Sequence, residues 1–389
     1  MSVPEASEAQ VAHRVLLMVV NDAAFFRSHR LALAMAAIKS GWKVELASNP
    51  SKDLEWVSKL GIVVHPIAFD RKGTNLLREI RTIVALFRLC KKLNPALVHF
   101  ITIKPILYGG LVSRLLRLPA VVSSVTGLGY VFSRRDKWAL PIRFLAKYAY
   151  WFALSYRRNI VIFQNPDDLE EIFKGCVPSN AEVIRGSGVD PDEYPFTEMP
   201  DHHMVVLLAS RMLWSKGVED FVEAAKLCKL KYPYARFVLV GEPDDSNPES
   251  IPVEILQKWQ QDGCVEWWGK RHDMPAVIQQ SSLMVLPSTY REGVPRVLIE
   301  AAATGRPIVT SDMPGCREIV IHGVNGFLVQ PRSPEEISEA ICQILSDQQI
   351  RKRMGEKSRE LFLQGFTLEH VNKGTLAIYD RVTHELINE

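Results

Sequence analysis

Short apolar segments alternate with amphipathic helical segments along nearly the whole chain of 389 residues. Strands that are buried on both faces are continuously apolar and are linked by helices in parallel sheets, so this alternation predicts an α/β protein. The predicted strands cover residues 15–20, 44–47, 97–100, 121–125, 160–163, 205–208, 237–240, 265–267, 283–286, 308–310 and 327–329. The predicted helices cover residues 26–40, 76–93, 106–116, 218–230, 294–304, 335–345 and 367–387. Two such series predict two doubly wound Rossmann-like domains, whose ligands bind at the carboxyl ends of the strands.

Glycine and proline residues mark the predicted boundary between the two domains. Residues 185–190 (Arg-Gly-Ser-Gly-Val-Asp) precede a proline-rich stretch that ends at Pro200, and this composition is typical of an interdomain hinge. We therefore predict an N-terminal domain over residues 1–187 and a C-terminal domain over residues 188–365. The last helix, within residues 366–389, has no strand to pair with and is predicted to pack back on the N-terminal domain.

The composition is that of an ordinary globular protein, with 47% hydrophobic and 23% charged residues. The six cysteines form no CxxC pair, which predicts reduced thiols in a reducing compartment. The first apolar segment is too short for a signal peptide, and no uncharged stretch approaches the ~20 residues of a membrane span. We expect a cytoplasmic protein, either soluble or peripheral to a membrane. The first strand lacks a glycine-rich turn, which argues against a nicotinamide or flavin enzyme.

Two glutamates, Glu292 and Glu300, are separated by seven residues across a strand-to-helix connection. Glu292 falls in the loop after the predicted strand 283–286, and Glu300 falls about two turns along the predicted helix 294–304. A ligand across the start of this helix would contact both carboxylates, with its phosphates near free backbone N–H groups. Carboxylates accept hydrogen bonds from sugar hydroxyls strongly. The pattern therefore predicts a sugar-nucleotide site.

Two cations, Arg211 and Lys216, follow the predicted strand 205–208 at the same edge of the sheet. Either residue alone would be an ordinary surface charge on a loop. Together with a helix start they can neutralise a diphosphate without a metal ion. Beside the two glutamates, they indicate a diphosphate site.

These elements resemble the retaining glycosyltransferases of family four, which have the GT-B fold. The resemblance also rests on residues 305–309 (Gly-Arg-Pro-Ile-Val), 315–320 and 323–329. It implies two Rossmann-like domains facing across a cleft, and a donor diphosphate held by Arg211 and Lys216. It implies further that Glu300 holds the ribose hydroxyls and that Glu292 contacts the transferred sugar. The donor-binding residues that it implies are Arg211, Lys216, Glu292, Gly293, Val294, Pro295 and Glu300, of which Arg211, Lys216 and Glu292 take part in catalysis.

The first half resembles family members that extend sugars on undecaprenyl diphosphate. Elements similar to residues 25–30 (Phe-Phe-Arg-Ser-His-Arg) and 126–129 (Thr-Gly-Leu-Gly) occur in those enzymes. The candidate acceptor-binding residues are His29, Lys104, Thr126 and Gly127. Because His29 lies at the start of a predicted helix, a structural role is the alternative to contact with the acceptor. Thr126 and Gly127 stand where many family members carry a histidine.

Positive charge is concentrated in the first half, where residues 1–190 hold 26 Lys and Arg against 15 Asp and Glu. Residues 71–92 and 134–158 each contain seven cations and one acid, and in the second stretch the cations are interleaved with the aromatic residues Trp138, Phe144, Tyr148, Tyr150, Trp151 and Phe152. Cations with interfacial aromatics suit a helix on an anionic membrane. An ordinary amphipathic helix with its aromatic side in the core is the alternative. Nucleic acid is disfavoured because no recognition module accompanies the charge.

We therefore expect a retaining transfer of a hexose or N-acetylhexosamine from a UDP-sugar to a hydroxyl of a polyprenyl-diphosphate-linked saccharide. No cofactor or metal is expected. Such an enzyme would work on the inner face of the plasma membrane, in lipopolysaccharide or capsule synthesis. Two alternatives stay open: a GT-B epimerase or hydrolase of the sugar nucleotide, and a catalytically silent sugar-nucleotide-binding subunit.

Overall fold

The computed structural model describes residues 14–70, 75–129, 132, 139–174, 178–200, 204–245 and 247–384. The chain divides into two compact units, one of Met1–Ile184 with Asn372–Glu389 and one of Arg185–Val371. The sequence predicts the boundary after residue 187, beside this division. Each unit contains one parallel sheet.

The first unit contains a seven-stranded parallel sheet in the order β3-β2-β1-β4-β5-β6-β7. Its strands are β1 (Val15–Val20), β2 (Lys43–Ser48), β3 (Val63–Pro66), β4 (Leu97–Ile101), β5 (Val121–Val125), β6 (Asn159–Phe163) and β7 (Ala181–Val183). Its helices are α1 (Ala23–His29), α2 (Leu31–Lys39), α3 (Lys52–Ser58), α4 (Leu76–Leu93), α5 (Ile103–Leu116), α6 (Ala139–Leu154) and α7 (Pro166–Phe173). Buried apolar clusters cover both faces of the sheet, as expected for continuously apolar strands.

The second unit contains a six-stranded parallel sheet in the order β10-β9-β8-β11-β12-β13. Its strands are β8 (Val205–Ala209), β9 (Arg236–Val240), β10 (Glu266–Trp267), β11 (Leu283–Leu286), β12 (Ile308–Ser311) and β13 (Gly326–Val329). Its helices are α8 (Val218–Lys231), α9 (Val253–Gln261), α10 (Met274–Gln279), α11 (Arg296–Ala303), α12 (Pro334–Leu345) and α13 (Gln348–Gly365). The final helix, α14 (Leu368–His384), begins in this unit and continues into the first one. The prediction of two doubly wound domains is confirmed.

Strand order reverses between β1 and β4 in the first sheet and between β8 and β11 in the second. In doubly wound sheets, ligands bind beside such a reversal, outside the carboxyl ends of the strands. The loops that follow β8 and β11 contain Arg211, Lys216 and Glu292. The sheet order alone therefore brings these side chains to one edge.

A break in the first predicted helix changes the setting of His29. Residues 26–40 were expected to form one helix, but α1 ends at His29 and α2 begins at Leu31. Arg30 between them has φ −133°, which is not helical. His29 therefore lies at the end of a helix rather than at its start.

The C-terminal part of α14 packs on the first unit through Tyr379, which is fully buried. The Tyr379 hydroxyl is 2.6 Å from Nδ1 of His99 in β4, and Nε2 of His99 is 2.7 Å from Oγ of Ser124 in β5. Burial, with the charge of Arg30, places the pKa of His99 well below its usual value. His99 is therefore a neutral, hydrogen-bonded core residue.

Candidate active site

Two loops of the second unit meet at the carboxyl edge of its sheet. The first follows β8 and contains a 3₁₀ turn over Trp214–Lys216, and the second joins β11 to α11. The backbone N–H of Thr289 donates to the carbonyl of Ser215 at 2.9 Å, and the Thr289 hydroxyl donates to the same carbonyl at 3.3 Å. These hydrogen bonds hold the two loops together.

Gly217 allows the close approach of the two loops. It has φ +70° at the start of α8, a conformation that favours glycine. A Cβ atom at this position would lie 2.1 Å from the carbonyl oxygen of Pro287. Gly217 therefore sets the position of the preceding residue, Lys216, against the second loop.

Lys216 and Glu292 form a buried ion pair, each side chain having 11% of its surface exposed. The other carboxylate oxygen of Glu292 accepts a hydrogen bond from Ser288 at 2.5 Å. Burial alone would lower the pKa of Lys216, but the nearby Glu292 carboxylate and Tyr290 outweigh it, and the pKa is raised. Lys216 is therefore charged at neutral pH, with Tyr290 beneath its ammonium group at 5.2 Å from the ring centre.

Arg211 is held by a carboxylate from a third loop. Its Nη1 donates to Oδ2 of Asp244 at 2.7 Å, and Asp244 lies in the loop that follows β9. Arg211 is 54% exposed, whereas Asp244 is 18% exposed. The guanidinium therefore faces solvent from a fixed position, and its charge acts on Lys216.

Glu300 lies in the second turn of α11 and is almost fully buried. Its carboxylate accepts a hydrogen bond from Arg296 at 2.8 Å and another from the Tyr194 hydroxyl. Burial raises the pKa of Glu300, against the opposing effects of Arg296 and Tyr194. The two predicted glutamates thus contact different cations, Glu292 contacting Lys216 and Glu300 contacting Arg296.

The start of α11 lies two residues later than expected, at Arg296 rather than Val294. Gly293, Val294 and Pro295 form the loop that leads into it, with Val294 packed in the core. Gly315 approaches this loop so closely that a Cβ would lie 2.0 Å from the carbonyl oxygen of Gly293. The first turn of α11 contains no acidic residue, which leaves it suited to an anion.

The candidate acceptor residues lie in the first unit. His29 stacks on Phe25 with ring centres 4.3 Å apart, and its Nδ1 is 2.7 Å from the Ser28 hydroxyl. Lys104, near the start of α5, pairs with Glu79 of α4 at 2.6 Å. Thr126 and Gly127 directly follow β5.

Thr102 marks the strand reversal of the first sheet, and sequence reasoning missed it. It has φ +75°, which is unusual for a β-branched residue, and its hydroxyl donates to the Asn21 side chain at 3.0 Å. Asn21 follows β1 and Thr102 follows β4. No sequence pattern indicated this backbone conformation.

Ser288, Asp244 and Arg296 were also missed as partners of the predicted donor site. Arg296 was recognisable in principle, because residues four apart on a helix are neighbours and Glu300 follows it at that spacing. Asp244 meets Arg211 only through the pairing of β8 with β9. Its role therefore needed the structure.

The chain matches two glycosyltransferase families. Residues 192–361 match the family described as glycosyl transferases group 1, and residues 14–165 match the glycosyl transferase 4-like family. The chain therefore contains a glycosyl transferase 4-like domain followed by a glycosyl transferases group 1 domain. The family resemblance predicted from the motifs is confirmed.

Two relatives are named for undecaprenol-linked substrates. The chain is 28% identical over 337 residues to N,N'-diacetylbacillosaminyl-diphospho-undecaprenol alpha-1,3-N-acetylgalactosaminyltransferase of Campylobacter jejuni, with 83% of this chain and 87% of the relative covered. It is 24% identical to UDP-Gal:alpha-D-GlcNAc-diphosphoundecaprenol alpha-1,3-galactosyltransferase of Escherichia coli, with 76% and 78% covered.

Solved structures support the GT-B fold. Anabaena Alr3699/HepE in complex with UDP-glucose has a TM-score of 0.76 at 19% identity, covering 95% of this chain and 100% of that one. Sucrose-phosphate synthase from Thermosynechococcus elongatus has a TM-score of 0.76 at 18% identity, covering 96% and 100%. The predicted GT-B fold is therefore confirmed.

Exposed aromatic residues lie along α6, within the second basic stretch. Phe144 is 76% exposed, Tyr148 59% and Trp151 51%, whereas Tyr150 is buried. The aromatic side of this helix is therefore only partly in the core. Residues 71–74 and 134–138, which belong to the predicted basic stretches, lie outside the described residues. Within the described part of the chain, no helix is long and apolar enough to cross a membrane.

Proposed function

We propose that this glycosyltransferase moves a hexose or N-acetylhexosamine from a UDP-sugar to a hydroxyl of a polyprenyl-diphosphate-linked saccharide, with retention of the α configuration. The observation that supports a UDP-sugar donor is the buried ion pair of Lys216 with Glu292, which lies at the strand reversal of the second sheet. The names of the two relatives support the acceptor class. Such a reaction would serve the synthesis of a surface glycan.

The donor diphosphate would bind at Arg211, Lys216 and the start of α11. An ammonium group has three N–H donors, so Lys216 can keep its bond to Glu292 and still donate to a phosphate oxygen. Bond breaking leaves positive charge on the anomeric carbon and negative charge on the departing UDP. Cations fixed before the reaction stabilise that leaving group without reorganisation.

Glu300 would accept hydrogen bonds from the ribose hydroxyls, and Glu292 would orient the donor sugar. We expect no protein base, because the departing phosphate oxygen can take the proton of the acceptor hydroxyl. No resident metal is required in this scheme, and activity should therefore persist in EDTA. His29, Lys104, Thr126 and Gly127 are proposed to contact the acceptor.

The exposed aromatic residues of α6, together with the basic chain segments beside this helix, would hold the enzyme on the inner face of the membrane. The aromatic residues Phe144, Tyr148 and Trp151 lie beside a basic chain segment that ends at Arg158. Each such cation adds ~1 kcal/mol near an anionic surface. Flotation with vesicles that contain anionic lipid tests this, and binding unchanged by the triple change of these aromatics to Ser would contradict it.

The deciding experiment incubates the enzyme with a panel of UDP-sugars and a short-chain polyprenyl-diphosphate saccharide, and then measures product mass and anomeric configuration. We expect one elongated product with an α linkage. Glu292→Gln should lose turnover, whereas Glu266→Gln, which removes a surface ion pair with Arg236, should keep it. An epimerase or hydrolase would consume the donor without acceptor, and a silent subunit would bind UDP without turnover. Absence of an elongated product with every donor would refute the lipid-linked acceptor.

A further inference from the structure

Two cysteine thiols meet between two packed helices of the second unit, α8 and α12. The Cys342 thiol of α12 donates a hydrogen bond to Sγ of Cys228 in α8 at 3.6 Å. The Cys228 thiol donates to the backbone carbonyl of Ser338, one turn earlier in α12, at 3.5 Å. Both cysteines are free, and neither is among the residues assigned to the transfer reaction.

The contact between the two helices lets the sulfur atoms come closer. The three residues at this contact, Cys228, Ser338 and Cys342, all have small side chains. The hydroxyl of Tyr232, at the end of α8, also donates to the backbone carbonyl of Cys342 at 3.4 Å. A disulfide bond is about 2.05 Å long, so the two sulfurs would have to approach each other by roughly 1.5 Å. A covalent link therefore needs only a small movement of side chains and helices.

The two thiols differ in their access to solvent. Cys228 is fully buried, whereas Cys342 is half-buried. Burial raises the pKa of the Cys228 thiol to about 12, although its hydrogen bond with Ser338 opposes the rise. The thiolate is the reactive form of cysteine, so a soluble oxidant should react first at Cys342. Cys228 then lies in place to attack the oxidised sulfur of its neighbour.

A hydroperoxide supplies the oxidant that this chemistry needs. The Cys342 thiolate attacks one oxygen of hydrogen peroxide and the O–O bond breaks, which gives a sulfenic acid and, after protonation, water. The Cys228 sulfur then attacks the sulfenic sulfur and the S–O bond breaks, which gives a disulfide. The departing hydroxide takes the Cys228 proton and leaves as a second water. The thiols are oxidised by two electrons in total, and the peroxide is reduced by the same two.

The helix that would be cross-linked directly follows the candidate donor site. α8 begins at Val218, two residues after Lys216, and Gly217 between them lies against Pro287. Close-packed interiors transmit strain rather than absorb it locally. Movement of a positioning group by about 1 Å can reduce turnover ~100-fold. A shift of α8 that joins the two sulfurs would therefore act on the position of Lys216.

We propose that Cys228 and Cys342 form a reversible disulfide bond on exposure to a hydroperoxide, and that this bond slows the transfer reaction by displacing α8. The effect on transfer rests on the proposed function, whereas formation of the bond does not. Thiols stay reduced in a reducing compartment. The bond therefore forms during exposure to oxidant, and exchange with other thiols reverses it.

The test treats the full-length wild type, Cys342→Ser and Cys264→Ser with hydrogen peroxide, and then measures intact mass and cross-linked peptides. Cys264 is the matched control because it is also half-buried in the second unit, where its Sγ lies 3.8 Å from the backbone carbonyl of Asp262. Wild type and Cys264→Ser should lose the mass of two hydrogen atoms and yield a peptide pair joined through Cys228 and Cys342. Dithiothreitol should reverse both changes.

Cys342→Ser should keep its mass under the same treatment. Absence of the joined peptide pair in wild type, or an equal loss of two hydrogen atoms in Cys342→Ser, overturns the proposal. Cys228→Ala repeats the test if Cys342→Ser melts at a lower temperature than wild type.

Turnover is measured before oxidation, after oxidation and after reduction with dithiothreitol. We expect about a tenfold fall in oxidised wild type and Cys264→Ser, recovery on reduction, and no change in Cys342→Ser. Unchanged turnover of the cross-linked protein overturns the effect on transfer. If the reduced wild type transfers no sugar, the proposed function is contradicted instead, and the mass measurement still decides whether the disulfide forms.

Discussion

Gly217→Ala tests whether the close approach of the two donor-site loops positions Lys216. The substitution adds a single methyl group, leaves every charge in place and lies next to Lys216. The added Cβ would lie 2.1 Å from the carbonyl oxygen of Pro287. One of the two loops must therefore move.

The expected magnitude follows from two terms. An alanine with φ near +70° costs roughly 1–2 kcal/mol relative to an unstrained backbone. Relief of the overlap by movement of packed backbone costs roughly another 1–3 kcal/mol. Movement of a positioning group by about 1 Å can reduce turnover ~100-fold. We expect Gly217→Ala to lose about 2–5 kcal/mol of unfolding free energy and most of its turnover.

Gly263→Ala is the matched control. Gly263 also has φ +70°, but no atom lies within 4 Å of its added Cβ, and the residue is exposed after α9. It should lose only the backbone term of roughly 1–2 kcal/mol and keep wild-type turnover. Urea unfolding and steady-state kinetics measure both effects. If the two variants match in stability and in turnover, the close approach of the loops does not position Lys216.

Three further changes test individual side chains. Because the folded-state pKa of Glu300 is raised above 4.5, its contribution to stability is present below that pH and is lost as the pH rises through the folded pKa. The unfolding free energy that Glu300→Gln loses relative to wild type should therefore be smaller at pH 7 than at pH 4.5, as measured by urea unfolding. An equal loss at both pH values would contradict this. His99 has a lowered pKa in the folded state, so wild-type stability should be lost as the pH falls below 6.5. The thermal midpoint of His99→Gln should therefore vary less with pH over that range than the midpoint of wild type. Asp244→Asn releases Arg211 from an exposed pair, for which up to ~1 kcal/mol is typical, so the KM for the UDP-sugar should rise up to about fivefold with kcat nearly unchanged. A fall in kcat alone would show that Asp244 acts otherwise.

The central strands could be predicted from sequence because they are buried on both faces. The expected bounds of β1, β5 and β11 agree with the structure to the residue. The edge strands β3 and β7 were missed, since their residues are exposed or only partly buried and neither strand has more than two consecutive apolar residues. Burial by neighbouring strands, rather than intrinsic preference, makes a strand recognisable.

The candidate donor site could be predicted as a set of residues but not as a set of contacts. Spacing and charge made Arg211, Lys216, Glu292 and Glu300 candidates, and the structure brings Lys216 and Glu292 into contact. The pairing of Lys216 with Glu292 depends on β8 lying beside β11 and on the left-handed conformation of Gly217. Such long-range contacts leave no local pattern in a single sequence.

The free energy that burial of a polar residue costs distinguishes residues suited to a reaction from residues that only stabilise the fold. His99 is neutral and hydrogen-bonded at both ring nitrogens, so its burial leaves no charge without compensation. The ion pair of Lys216 with Glu292 differs from His99 in this respect. A buried ion pair often stabilises the folded protein no more than apolar residues of equal volume would. A loop that only joined β8 to α8 would need neither a buried charge pair nor a left-handed glycine pressed against Pro287. These local costs coincide at the strand reversal of one sheet, where doubly wound proteins bind their ligands. They are explained if the charge of Lys216 is held ready for the leaving diphosphate.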